Sequence, residues 1–289
     1  MKYIFILNSF TLKDSVEKIK RRIEEYCTNE NMEFIIEINS EELSTEDIVA
    51  KYRDQKNILL AVGGDGMVNR VLNGIAGTDN ILGIIPLGSG NDFYRSVEKD
   101  LKEYYNTCDL IKINDKHFIN VACFGIDADV GNNKVKVKSK LIPKSQRYNV
   151  ALLKTFSQYK CRQLEIDMNG EKLTGEYTTV AVCNGMYYGN GYKISPTSNP
   201  TNGLLDVYVV DKVNKIRMVN LILKMKEGNH GNEKEIHHYQ TNKITIKSPE
   251  SFVANVDGEE MFDRKFEMEV IKDGIMLYYD KSLIESITK

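Results

Sequence analysis

Residues 3–7 (Tyr-Ile-Phe-Ile-Leu) are continuously apolar, the pattern of a strand covered on both faces. Val16, Ile19, Ile23 and Tyr26 then recur at helical spacing among charges and predict an amphipathic helix. Residues 33–37 read as a second strand. Ser44 and Asp47 form a capping box at the head of a helix carrying Ile48, Val49 and Tyr52. A third strand over 57–62, a glycine-rich turn, a short helix ending near Gly74 and a fourth strand over 81–85 follow. Strands alternating with helices predict a parallel, three-layer α/β domain.

After about residue 106 the period changes. Residues 109–113 and 117–122 alternate around Asn114-Asp115, and 163–168 and 172–182 flank Asn169-Gly170, a strong hairpin signal. Further strands are expected at 204–210, 243–247, 252–256, 264–271 and 275–279, the last two joined by Asp273-Gly274. Helical patterns interrupt them at about 146–159 and 214–226. The second half is therefore predicted to be an antiparallel β-sandwich. No repeat or low-complexity linker separates the halves.

Composition narrows the function classes. A formal net charge of −2 over 289 residues gives the chain no electrostatic reason to seek nucleic acid. The five cysteines form no CxxC pair and lie at no ligand spacing from histidine, which argues against zinc or a disulfide framework and for a reducing compartment. The N-terminal apolar run is too short for a signal peptide, and no run approaches the roughly 20 residues that span a bilayer. A cytoplasmic protein is expected, with any lipid met at the inner membrane face.

The candidate chemistry lies in two glycine-rich turns. Gly63-Gly64-Asp65-Gly66-Met67-Val68-Asn69 and Pro86-Leu87-Gly88-Ser89-Gly90-Asn91-Asp92-Phe93-Tyr94-Arg95 each join a buried strand to a helix. Glycine lets backbone approach a phosphate, and a helix N-terminus aims N–H groups at an anion. In a parallel sheet both turns emerge at the C-terminal edge and can hold one polyphosphate.

These turns, read as GGDGMVNRVLNG and PLGSGNDFYR, resemble the diacylglycerol-kinase, ceramide-kinase and sphingosine-kinase family, including its soluble bacterial lipid kinases. Matching text continues in order through Phe118–Val121, Phe124–Ala128, Asn184-Gly185, Tyr188–Gly191, Pro196, Asn202–Asp206 and Val256-Asp257-Gly258-Glu259. The resemblance implies a NAD-kinase-like α/β nucleotide domain over 1–106, with the tail of about 281–289 returning to it. It implies a β-sandwich lipid-substrate domain over 107–280.

As the resemblance implies, ATP lies against Asn8, Ser9, Phe10, Gly63, Gly64, Asp65, Gly66, Met67, Asn69, Gly88, Ser89, Asn91 and Asp92. Asp65 suits a magnesium-bound water, since magnesium keeps several waters and few carboxylates. Asp92 and Asp127 read either as further members of that water–metal network or as loop hydrogen-bonding groups. Asp257 alone reads as a solvated turn; the match to the family's Asp-Gly-Glu text implies a general base, with Glu259 beside it. If the backbone stays extended, the two side chains share one face. A structural magnesium site is implied at Asn199, Asn202 and the Leu204 carbonyl, although asparagine stands at both side-chain positions and carries no charge.

Several positions depart from the family pattern. Asn8-Ser9-Phe10 lacks the usual Pro and Gly, Met67 and Ser89 replace threonine, and Arg70 replaces glutamate. Lys134, Lys136, Lys138, Lys140, Lys144 and Arg147 form a basic run suited to an anionic membrane or to a solvated edge strand. The leading expectation is magnesium- and ATP-dependent phosphorylation of a diacylglycerol-like or other long-chain lipid. The alternatives are a NAD-kinase-like small-molecule kinase and a catalytically impaired nucleotide- or lipid-sensing protein. Oligomeric state is not legible; a homodimer is compatible with the sequence.

Overall fold

The computed structural model describes residues 1–12, 15–125 and 161–289. The expected helix at 146–159, the basic run at 134–147 and Asp127 lie outside the described residues.

Four strands, β1 (Tyr3–Leu7), β2 (Phe34–Ile38), β3 (Ile58–Gly63) and β4 (Ile81–Pro86), pair in parallel in the order β4-β3-β1-β2. Their side chains alternate between two cores. Ile4, Ile6, Leu59, Ala61, Leu82 and Ile84 meet one, while Phe5, Leu7, Ile58, Leu60, Val62 and Ile85 meet the other. Both faces are covered, which is why the strands read as unbroken apolar runs. The first core is closed by α3 (Thr45–Ala50), α4 (Asp65–Ile75) and α5 (Asp92–Val97). The second is closed by α1 (Ser9–Leu12), α2 (Val16–Asn29) and the C-terminal α7 (Lys281–Thr288). The expected Ser44–Asp47 capping box opens α3.

The second half contains β5 (Tyr104–Ile113), β6 (Lys116–Phe118), β7 (Val121–Gly125), β8 (Arg162–Met168), β9 (Glu171–Cys183) and β10 (Leu205–Asp211). After α6 (Lys215–Glu227) come β11 (Ile236–Thr241), β12 (Lys243–Val256) and β13 (Glu259–Tyr279). The long strands β9 and β12 each pair with β8 through their N-terminal half and with β7 through their C-terminal half. This wraps two layers around a core that includes Phe118, Phe124, Phe252 and Phe266. The sandwich expectation holds. Strand β11 was not anticipated, because its sequence, Ile-His-His-Tyr-Gln-Thr, is buried only at its two ends.

Asp273-Gly274 is a correction to the sequence reading. It does not reverse the chain: 264–271 and 275–279 form one strand, β13, interrupted by a bulge between Ile271 and Ile275. Both segments pair with β5, and Leu277 and Tyr278 also pair in parallel with β4. A single strand thus crosses from the sandwich into the parallel sheet. The bulge is held by Asp109, which is fully buried and accepts the Asp273 N–H at 3.0 Å and the Gly203 N–H at 2.6 Å. Likewise, 243–247 and 252–256 are one strand with a register shift between Lys247 and Phe252.

The Asp109 carboxylate is the buried acceptor for two donors from distant segments. Asp109→Ala is expected to cost about 2–4 kcal/mol, below twice the roughly 1–3 kcal/mol of a fully buried orphaned donor because both donors are only part-buried. Denaturant unfolding of the variant beside the parent measures it.

Candidate active site

The two glycine turns meet backbone to backbone. A methyl group on Gly88 would lie 2.3 Å from the Gly64 Cα, and one on Gly64 would lie 3.0 Å from the Gly88 Cα. The N–H groups of Leu87 and Gly88 both donate to the Gly63 carbonyl, at 3.0 and 3.1 Å. Asn91 closes the second turn: its Oδ1 accepts the Gly88 N–H, and its Nδ2 donates to the carbonyls of Pro86 and Gly88. It begins α5 in the left-handed conformation, φ 51°, which asparagine tolerates. Neither α4 nor α5 has a side-chain N-cap bond. The expected convergence on one sheet edge is therefore present, with the end of β1 alongside: a methyl on Gly63 would lie 3.6 Å from the Asn8 Cβ.

Three aspartates organise this edge: Asp65 ties the two turns together, Asp92 ties them to the sandwich, and Asp257 fixes the β12–β13 hairpin. Asp65, the first residue of α4, accepts the Phe93 N–H through Oδ1 at 3.2 Å, and a methyl on Gly90 would lie 2.9 Å from its Oδ2. Burial pushes the Asp65 carboxyl pKa up, and the nearby Asp92 charge adds to the shift. Asp92 accepts the N–H groups of Asn190 and Gly191, both at 2.8 Å, so it pins the Tyr188–Tyr192 turn to the head of α5. Asp257 accepts three backbone N–H groups, from Ile119, Asn120 and Val121, at 2.9, 3.1 and 2.9 Å.

Asp257 and Glu259 do not share an extended strand face, and the expectation that they do is corrected. Asp257 (φ 48°) and Gly258 (φ 90°) form the two-residue turn of the β12–β13 hairpin, with Val256 paired to Glu259. Asp257 folds back onto the 119–121 backbone and is 6% exposed. Burial raises its pKa to about 6 against the lowering effect of the amides, and the Asp65 charge raises it further. Glu259 instead turns toward α4. Its Oε1 lies 3.9 Å from where a methyl on Gly66 would sit, and it accepts from Arg70 Nη2 at 3.2 Å. Beyond it opens a cavity of about 400 Å³ between α4, the β5–β6 turn and the hairpin, lined by Asn69, Arg70, Asn73, Lys116, His117 and Glu259 among others.

Other expected residues sit beside this edge with their side chains engaged elsewhere. Ser9 Oγ donates to Asn39 O at 2.6 Å, and Phe10 is exposed. The Met67 side chain is buried in the core, and its N–H donates to Gly64 O, so it offers a nucleotide no side-chain group. Asn69 is buried against Asn73, whose Nδ2 also donates to His117 O while its Oδ1 accepts the His117 N–H. Asn73 thereby fastens α4 to the sandwich; its signal in the sequence was its spacing of four residues from Asn69. Asn199 and Asn202 direct their side-chain oxygens at the N–H groups of Thr201 and Leu204 in their own loop. With the Leu204 carbonyl they make a set without a carboxylate, which does not fit a hard divalent cation. Asn39 and Ser96, which accepts the Met186 N–H, were not singled out, because their partners are remote in sequence.

Among the described residues no three His, Cys, Asp or Glu side chains gather at metal-holding distance. The mutual charge of Asp65 and Asp92 nevertheless fits a cation completed by phosphate oxygens and water.

Two outcomes follow from this geometry. Gly88→Ala forces the turns apart, and the ATP affinity expected from the sequence should weaken at least roughly 10-fold, the equivalent of about 1.4 kcal/mol, in calorimetric titration. Asp257 keeps its proton in the fold up to about pH 6, whereas the unfolded chain loses it near 3.8. Stability should therefore fall as pH rises from about 4 to 6, by about 3 kcal/mol from this group. Asp257→Asn should remove that slope from urea-unfolding curves collected across the window.

Comparison with known proteins agrees with the geometry. Residues 2–123 match the family model for the diacylglycerol kinase catalytic domain, and residues 120–277 match the YegS C-terminal NAD kinase beta sandwich-like domain. A diacylglycerol kinase of Bacillus subtilis (strain 168) is 27% identical over 216 residues, covering 70% of this chain and 71% of its own length. One from Staphylococcus saprophyticus is 27% identical over 231 residues, covering 75% and 74%. A crystal structure of a diacylglycerol kinase from Bacillus anthracis str. Sterne superposes with TM-score 0.71 over 98% of both chains at 19% identity, which shows the shared fold. With both models matched in order from residue 2 to residue 277, and the glycine turns they bracket packed on one sheet edge, the chain belongs to the bacterial diacylglycerol and lipid kinase family.

Proposed function

We propose that this chain transfers the γ-phosphate of ATP to the hydroxyl of a diacylglycerol-like or other long-chain lipid. The observation that carries the reading is the contact of Gly64 with Gly88 beside the Glu259 carboxylate at the head of α4. Phosphates meet backbone at Gly64–Gly66 and Gly88–Ser89, where side chains are absent or small. The nucleotide is held by residues 1–106 with the C-terminal tail, and the lipid is presented by residues 107–280. Asp65, through water, and Asp92, by its charge, would hold magnesium, which would supply charge neutralisation at the phosphates.

Of the hairpin carboxylates, Glu259 is open to an incoming hydroxyl, whereas Asp257 is committed to three amides. We assign the proton of the acceptor hydroxyl to Glu259 and the fixing of the hairpin to Asp257. The acceptor oxygen forms its bond to the γ-phosphorus as the bond to the β–γ bridging oxygen breaks. ADP leaves with that electron pair. No phosphoenzyme forms.

Purified protein incubated with labelled ATP, magnesium and a lipid panel should place label on lipid. Label found only as free phosphate, or on NAD, counts against the reading. Glu259→Gln should lower kcat by ~10²–10⁴-fold, the range for loss of general-base catalysis. An active Glu259→Gln enzyme beside a folded, inactive Asp257→Asn enzyme would return the base role to Asp257.

A further inference from the structure

We infer that Arg70 is a positioning residue for this reaction, holding the Glu259 carboxylate between α3 and the head of α4; the inference rests on the lipid-kinase reading of the same site. Arg70 lies four residues beyond Gly66, one turn along α4 on the same face. Its Nη2 donates to Glu259 Oε1 at 3.2 Å, and its Nε lies 3.8 Å from Glu46 Oε1 on α3. A single guanidinium therefore joins a carboxylate of α3 to one of the sandwich hairpin, and all three side chains line the cavity beside α4.

Stability is not what this contact supplies. Arg70 and Glu259 are both partly exposed, 38% and 46% at the side chain, and pairs of that kind contribute about 0–1 kcal/mol. Geometry is what it supplies. Free glutamate side chains sample several rotamers, and a charge-assisted hydrogen bond from a cation on α4 restricts them. Apart from Arg70, the cavity wall carries an acidic excess, Glu46, Asp115, Glu259 and Glu260 against Lys116. Without the arginine, like charge would turn Glu259 away from Gly66, where the phosphate-binding backbone begins. The arginine found here in place of the family's glutamate therefore suits an active site as this chain builds it, not an eroded one.

The test compares the parent with Arg70→Lys, Arg70→Gln and Arg70→Glu, using ATP and diacylglycerol in mixed micelles. Misplacing a reacting group by about 1 Å can cost ~10²-fold. Arg70→Gln should accordingly lower kcat by roughly 10-fold with KM for ATP unchanged. Arg70→Glu should lose more, and Arg70→Lys should keep most of the rate. Adding Arg70→Gln to Glu259→Gln should cause no further loss, a readout that a structural role would not give. Unfolding midpoints should match throughout. An Arg70→Glu enzyme as fast as the parent, or losses that multiply in the double variant, overturns the inference alone. A parent that phosphorylates no lipid overturns the kinase reading and this inference together.

Discussion

Everything at this site depends on two backbones touching. β3 and β4 are adjacent parallel strands, so the turns that leave them emerge at one edge, and only residues without a Cβ let those turns approach as Gly64 and Gly88 do. The contact lets two helix starts lie side by side with no side-chain bond from either N-cap residue, the Asp65 carboxylate accepting the Phe93 N–H of α5 instead. Because β3 and β4 are covered on both faces, the edge they present is fixed by some of the most deeply buried residues of the molecule.

Buried carboxylates then fasten remote segments together, Asp92 from the parallel layer to the sandwich and Asp109 at the bulge of the strand that serves both. Asp92, Asp109 and Asp257 each accept N–H groups from segments far away in sequence. A charge in such surroundings is tolerated because amides replace its water. The same arrangement resists separation of the layers, since pulling them apart strands both the carboxylate and the donors. Asp109 carries a further consequence. By holding the bulge in β13, it lets one strand serve both sheets, so the two halves are joined by continuous hydrogen bonding as well as by side-chain packing.

Acidic residues near the nucleotide turns thus fall into two kinds. Asp92, Asp109 and Asp257 have their oxygens on backbone amides of remote segments; Asp65 bonds the neighbouring helix start, and Glu259 bonds Arg70. Residue type alone does not separate them, for aspartate before glycine occurs in both kinds, at Asp65-Gly66 and Asp257-Gly258. What separates them is how many donors the fold delivers to each.

Period and turn chemistry in the sequence determined most of the elements, the parallel arrangement of the first half, the antiparallel character of the second, and the two glycine turns as the candidate site. These are local properties: burial on both faces writes unbroken apolar runs, and phosphate-sized turns require glycine. Tertiary structure alone decided the rest. Asp273-Gly274 has the composition of a hairpin turn, yet Asp109, over 160 positions away in the chain, makes it a bulge. Asp257 and Glu259 are separated by one residue, but left-handed backbone at the turn sends one inward and the other to Arg70. Met67 and Ser9 lie within the expected nucleotide loops, while the core and Asn39 claim their side chains. Each of these outcomes depends on a partner brought close by folding, and such a partner leaves no mark on the residues adjacent in the chain.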